Sequence, residues 1–276
     1  VNFFLRIRKN TLFVLGTIII LVLFTLALGA NFIAPHSPFE QNLDKMRTPP
    51  FTNPQFPLGT DELGRDLMSR VIFGGRISLS VGLFTSTLSA AVGITLGLLA
   101  GFSSPFLSEV IERVTDIALA TPEILIALAL SAIFGRGLFI VMISVSLVWW
   151  ANYARIVRGQ VLQLREMDYV LAVQALGASK MRILWFHILP NASAEILVMV
   201  SLNMSAAILV ESGLSFLGLG TTPPNPSWGA MLSTARNYLQ TSPWLATIPG
   251  LAIIFTVLGF NLIGDGLRDI LDPRMR

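Results

Sequence analysis

Between Lys9 and Glu40 the sequence carries no charged side chain, and Thr11 to Ala34 is almost wholly apolar. A helix needs about 20 apolar residues to cross the hydrocarbon core of a bilayer, so this run alone makes a membrane the first expectation. Pro35 and Pro38 then stop a helix, since proline lacks the N–H that the ladder requires. Arg6, Arg8 and Lys9 precede the run as they would a signal peptide. Its 24 residues are too many for a signal h-region and no small-residue cleavage site follows, so it reads as a retained anchor.

Five more runs follow. Ile77 to Ser108 is uncharged and long enough for one span with a short loop at Ser103-Ser104-Pro105. The third span runs from about Asp116 to Phe134, interrupted by Glu123, and the fourth lies between Arg136 and Arg155. The fifth runs from about Ile196 to Leu217 and contains Glu211; the sixth lies between Arg236 and Asp265. The fold class expected is an all-α membrane protein of six transmembrane helices. Over the whole chain only 13% of residues are charged and 53% are hydrophobic, whereas a soluble domain carries about a quarter charged.

An even number of spans puts both ends on one side, and Lys/Arg bias chooses which. With both ends inside, the inner segments hold 12 of the 19 basic residues and the outer segments 7. That balance favours cytoplasmic termini. It leaves a Pro- and Asn-rich outer segment of about forty residues after the first span, and a large inner loop from Arg155 to Pro190. The division expected is 1–75 (first span and outer segment), 76–265 (a five-helix core with the loop at about 155–190) and 266–276 (a cytoplasmic tail).

Several chemistries are excluded or disfavoured. There is no Cys, and the two His, His36 and His187, are far apart without carboxylate clusters, so no metal site is expected. No G-x-x-x-x-G-K-[ST] phosphate loop occurs, and no basic patch interleaved with aromatics suggests nucleic acid. No cofactor and no catalytic residue is expected. An ion-coupled secondary transporter remains the alternative of a different class. It predicts inverted repeats and facing broken helices, and the sequence shows no internal repeat.

Two local patterns stand out. Ser89, Gly93, Gly97 and Gly101 recur every four residues on one face of the second span, where small residues let helix backbones approach. In the inner loop, Tyr169, Ala172, Val173 and Leu176 form an apolar stripe at helical spacing. Gly177 breaks that short helix, Ala178-Ser179 restarts one, and Pro190 closes the segment. A stripe outside the membrane packs either on the chain's own helix ends or on a separate protein.

The stretch Leu171-Ala172-Val173-Gln174-Ala175-Leu176-Gly177, followed by Leu189-Pro190, resembles the EAA loop of bacterial importer permeases, with Ala172, Gly177, Leu189 and Pro190 fitting and Leu171, Val173 and His187 departing from the usual Glu, Ala and Ile. Three further blocks are similar to the peptide/nickel branch of that family. They are Pro57 to Asp66, Glu211 to Gly220 with the following Pro223-Pro224 and Pro226-Ser227-Trp228-Gly229, and Asn261 to Asp269 ending in Leu271-Asp272-Pro273-Arg274. The resemblance is to the dipeptide C-subunit type and covers the chain from about Leu58 onward.

That resemblance implies a type I ABC importer permease fold in the bacterial inner membrane. It also implies two ATPase subunits docked under the loop, a second homologous permease completing the translocation path, and an external solute-binding protein delivering cargo. The cargo range implied is di- and oligopeptides, glutathione and nickel or metal chelates. Among the charged residues, Glu123 and Glu211 are candidates for the translocation path, because charge at membrane depth is costly. For Glu123 the readings are a wall residue, a pair with the neighbouring subunit, or a contact with a peptide's N-terminal amine. For Glu211 an interfacial structural role is the other reading. Asp61, Arg65 and Asp66 are expected to hold the outer segment folded and secondarily to meet the binding protein, and Asp265 to join Arg268 in a surface cluster.

Overall fold

A computed structural model describes residues 7–271 of the chain; Arg6 and the Asp272-Pro273-Arg274 end of the C-terminal block lie outside the described residues. The long helices are α1 (Thr11–Leu28), α3 (Leu67–Phe102), α6 (Leu138–Leu164), α9 (Leu189–Phe216) and α11 (Trp244–Leu271). Short α2 (Ala30–Ile33) follows α1, and α10 (Trp228–Ala235) precedes α11. Between α6 and α9 lie α7 (Asp168–Ala175), α8 (Lys180–Ile183) and a π turn over Leu184–Ile188. The remaining pair, α4 (Pro105–Ala120) and α5 (Glu123–Phe134), meets at a bend of 85° and passes as apolar enough to cross a membrane only when taken together. Among the described residues five helices are long and apolar enough to cross a membrane, and the bent pair counted as one span gives the expected six.

Close backbone contacts set the packing. A Cβ placed on Gly97 would lie 2.7 Å from the Ala154 carbonyl oxygen and 2.8 Å from Val157 Cβ. Gly93 meets Trp150 and Tyr153, and Gly101 meets Val161, so the small-residue face of α3 seats α6 of the same chain. A Cβ on Gly16 of α1 would lie 2.6 Å from the Gly259 carbonyl of α11. One buried cluster joins α1, α3, α9, α10 and α11 around Trp228, whose Nε1–H donates to the Val71 carbonyl at 2.9 Å. A second, at the opposite end of the bundle, joins Leu98, Val157 and Val161 to Val170, Ile183, Leu184 and Ile188 of the loop.

Two expected boundaries are corrected. The third span is not a continuous helix from Asp116: it breaks at Thr121-Pro122, because Pro122 cannot donate to the preceding turn and takes the N-cap position of α5. Pro190 does not close the loop segment. The helix runs from Lys180 to Phe216 as one span, and the π turn just before Pro190 accommodates the missing N–H without a break. Residues 75/76 lie within α3 and 265/266 within α11, and α6 runs to Leu164.

At 36 residues α3 is about 54 Å long, well beyond a bilayer core of about 30 Å. Its first turns therefore carry the outer segment above the bundle. Arg76 marks the level of the end of α1, donating to the Ala27 carbonyl at 2.6 Å and the Leu28 carbonyl at 2.9 Å.

Candidate functional site

The loop helix α7 is fastened along its buried side. Val170 is 0% exposed and sits among Val157, Val161, Ile183 and Ile188. Val173, three positions on, packs partly against the same cluster together with Ala178 and Leu189. Tyr169, Ala172 and Leu176 point outward, with Leu176 88% exposed. The predicted stripe is thus split: only Val173 of its four members faces the chain's own core. The i, i+3 spacing of Val170 and Val173 was the available signal for the anchored side.

The turn after α7 is a Schellman arrangement. Gly177 has φ +85° and donates to the Gln174 carbonyl at 2.9 Å, while Ala178 donates to the Val173 carbonyl at 3.3 Å. These are the two bonds that satisfy the last carbonyls of a helix when the following residue is left-handed, and the Val173–Ala178 contact is their usual apolar companion. The next helix starts at the Ser179 cap, whose Oγ accepts from the Arg182 N–H at 3.4 Å. Asn191, just past Pro190, donates to the His187 carbonyl at 2.6 Å and to Tyr169 Oη at 3.3 Å, tying α7 to the base of α9. The result is a short helix held rigidly at one end of the bundle with an apolar face turned away from it.

Glu123 lies in the first turn of α5, at the 85° bend. It is half-buried, and no hydrogen bond or ion pair engages it among the described residues. The N-terminal end of a helix favours a negative charge, which gives a local reason for a carboxylate there.

Of the two readings for Glu211, the structural one describes its surroundings. It is 0% exposed, and its Oε1 accepts from Ser215 Oγ at 2.7 Å. Ser212, Ser227 and Ser78 surround it, and α10 lies against the same turn, with Gly229 abutting Ser212 and Ser215. Enclosed by its own chain, Glu211 joins α9 to Ser227 at the start of α10 and to Ser78 of α3. A run of apolar and small residues at period 3.6 could not say which side of α9 that region would cover.

In the outer segment Asp61 accepts from the Leu63 and Arg65 N–H groups, each at 2.9 Å, and from Arg65 Nε at 2.6 Å. Arg65 also pairs with Glu62 at 2.7 Å, and Arg70 reaches Asp61 at 3.2 Å. Burial, with the charge of Asp61 beside it, pushes the Glu62 carboxyl above its usual range. Asp66 caps α3, accepting from the Ser69 N–H at 2.9 Å.

The structure also adds a feature that sequence reading passed over. Arg155 pairs with Asp116 at 2.6 Å and Arg158 pairs with Glu112, bridging α6 to α4 around a cavity of about 70 Å³. Asp265 and Arg268 form no ion pair with each other; Asn10 donates to Asp269 at 3.5 Å instead.

The backbone is similar to a chain of the MetNI methionine ABC transporter in an inward-facing crystal form, with a TM-score of 0.62 and 15% identity, covering 75% of this chain and 98% of that one. The fold is therefore that of a type I ABC importer permease. Residues 93–276 match the model of the binding-protein-dependent transport system inner membrane component, and residues 2–50 match the N-terminal TM domain of oligopeptide transport permease C. The chain belongs to the family of binding-protein-dependent transport system inner membrane components.

Its relatives include the di/tripeptide transport system permease protein of Pseudomonas aeruginosa, 44% identical over 95% of this chain and 88% of that protein. The oligopeptide transport system permease protein of Bacillus subtilis is 41% identical over 99% and 88%. The glutathione transport system permease protein of Pectobacterium atrosepticum is 39% identical over 100% and 91%. The chain is a multi-pass inner membrane permease subunit and not an enzyme; ATP hydrolysis belongs to separate subunits.

Proposed function

We propose that this chain forms half of the translocation path of an ATP-driven importer of di- or oligopeptides, with both termini in the cytoplasm. Its partners are a homologous second permease, two ABC ATPase subunits and an extracytoplasmic solute-binding protein. The observation that carries the coupling role is the outward face of α7. Tyr169, Ala172 and Leu176 are exposed at the end of a helix that Val170, Gly177 and Asn191 hold fixed. A rigid apolar face with no cover in its own chain fits a docked ATPase, and Ser179, Leu189 and Pro190 join its motion to the fifth span. Glu123, half-buried at the bend and unpaired among the described residues, is the candidate contact for a peptide's N-terminal ammonium.

The test is uptake of a labelled dipeptide into cells carrying the complete transporter, paired with ATPase co-purification. Ala172→Asp places a charge on a face that docking must desolvate, a cost of about 2 kcal/mol or more. It should abolish uptake and shed the ATPases while leaving the two permeases inserted and paired. Full uptake with full ATPase retention would remove α7 as the coupling element. Competition by unlabelled oligopeptide, glutathione or a nickel chelate reads the cargo class in the same assay.

The bent span is the one feature that favours a secondary transporter, where broken helices line the ion path. Uptake that survives loss of the ATPases but collapses with a protonophore would establish that reading instead.

A further inference from the structure

The outer segment contains a closed loop over residues 48–60. At its neck the Thr60 N–H donates to the Thr48 carbonyl at 3.1 Å, and the Thr48 N–H donates to Thr60 Oγ1 at 2.9 Å. Gly59, at φ +78°, lies so close to the Thr48 carbonyl that a Cβ would strike it. Inside the loop the Phe51 N–H donates to the Pro57 carbonyl at 3.0 Å. The loop holds two phenylalanines five positions apart. Phe56 is 7% exposed, stacked on His36 at 4.8 Å beneath Lys45. Phe51 is 86% exposed.

Phe51 also has φ +62°, and among the described residues only it and Arg47 take positive φ without being glycine. A bulky side chain in that region is a genuine outlier, and such strain persists only where the surrounding structure enforces it. The loop therefore spends rigidity on holding an aromatic ring out of contact with its own chain. Folding alone supplies no reason for this, since Phe56 already supplies the loop's own apolar anchor.

The loop stands beyond the end of the first span. The Leu67 N–H donates to the Gly59 carbonyl, so the loop sits at the first turn of α3. Arg76, nine residues further along that helix, marks the level where α1 ends. Nine residues of helix raise the loop by about 14 Å, whereas the headgroup layer on one side of a bilayer is about 5–8 Å thick. The loop is at the end of the bundle opposite Gly177. A family whose members depend on a binding protein supplies a partner for that end. Aromatic anchors held in their bound geometry are the side chains that dominate protein interfaces.

We propose that Phe51 is a docking anchor for the extracytoplasmic binding protein, inserted into an apolar pocket on that protein when it delivers cargo. This rests on the importer reading above. The complete transporter in nanodiscs tests it, with ATPase rate measured against binding-protein concentration. Phe51→Gly removes the ring and relieves the backbone together, and Phe51→Trp keeps an aromatic.

The expected result is at least a tenfold rise in the half-stimulating concentration for Phe51→Gly, near-normal behaviour for Phe51→Trp, and an unchanged basal rate in both. A photo-crosslinking p-benzoylphenylalanine at position 51 should capture the binding protein. An unchanged half-stimulating concentration for Phe51→Gly, or capture of the second permease or of lipid at position 51, overturns the anchor while leaving the importer reading intact. A wild-type complex that no binding protein stimulates overturns both.

Discussion

Asp61 holds Arg65 twice, taking its backbone N–H on one carboxylate oxygen at 2.9 Å and its guanidinium on the other at 2.6 Å, while Arg70 approaches the second oxygen at 3.2 Å. All three side chains are nearly withdrawn from solvent. Removing one member of a buried pair typically costs about 3–5 kcal/mol, because the other charge is left uncompensated. The two sides of this cluster are not equivalent. Asp61→Asn strands two arginines with only Glu62 to share, whereas Arg65→Met leaves Asp61 beside Arg70. Asp61→Asn should therefore be the more damaging, read as faster protease cleavage within residues 35–66 and a lower unfolding temperature. Equal tolerance of both substitutions would show that the cluster does not hold the segment.

Gly97 and Gly159 provide a matched pair. A Cβ on Gly97 would fall between the Ala154 carbonyl and Val157, whereas a Cβ on Gly159 meets nothing within 4 Å. Gly97→Leu must separate α3 from α6, at a cost of several kcal/mol by analogy with overpacked cores, where each added group costs about 1–3 kcal/mol. Gly159→Ala should be neutral or gain up to about 1 kcal/mol from helix propensity. Detergent-solubilised yield and thermal unfolding of the two variants decide it. Normal assembly of Gly97→Leu would show that the seam can open.

These two cases also show what the sequence can carry. The spans were legible because uncharged length is a direct physical requirement of lipid, and the Ser89 to Gly101 spacing announced a close helix contact. The loop's turn was legible because Gly177 is the residue type that a left-handed cap requires. The bend at Pro122 had a signal, a proline beside a charge inside an apolar run, but a proline alone does not set an 85° angle. Burial of Glu211 had none, since the surrounding serines come from α3, α9 and the α10 region and meet only in three dimensions. Phe51 ran against every local propensity, so nothing in its neighbourhood pointed to a positive φ. The Arg155–Asp116 bridge joins residues 39 apart on helices that the sequence does not pair.

The absence of native cysteine makes orientation directly measurable. Single cysteines at Asn53 and Ser179 should be labelled from opposite sides of intact cells by an impermeant maleimide, Asn53→Cys from outside and Ser179→Cys only after permeabilisation. Labelling of Ser179→Cys from outside would invert the bundle and with it the assignment of α7 to the ATPases.

Gly177 separates backbone geometry from surface chemistry. Its φ is +85°, yet a Cβ there would touch nothing within 4 Å. The cost of a substitution is thus conformational, about 1–2 kcal/mol for an ordinary residue, less for Asn, which visits that region more readily. A β-branched side chain suffers most. Because the position is exposed and outside the spans, membrane insertion and pairing with the second permease should not change. What changes is the angle at which α7 meets the helix that begins at Lys180. ATPase retention and coupled uptake should therefore fall in the order Gly177, Gly177→Asn, Gly177→Ala, Gly177→Val. Circular dichroism of the purified chain should stay level across the series. If Gly177→Val couples as well as Gly177→Asn, the left-handed turn is dispensable, and the position of α7 must be set by Val170 and Asn191 alone.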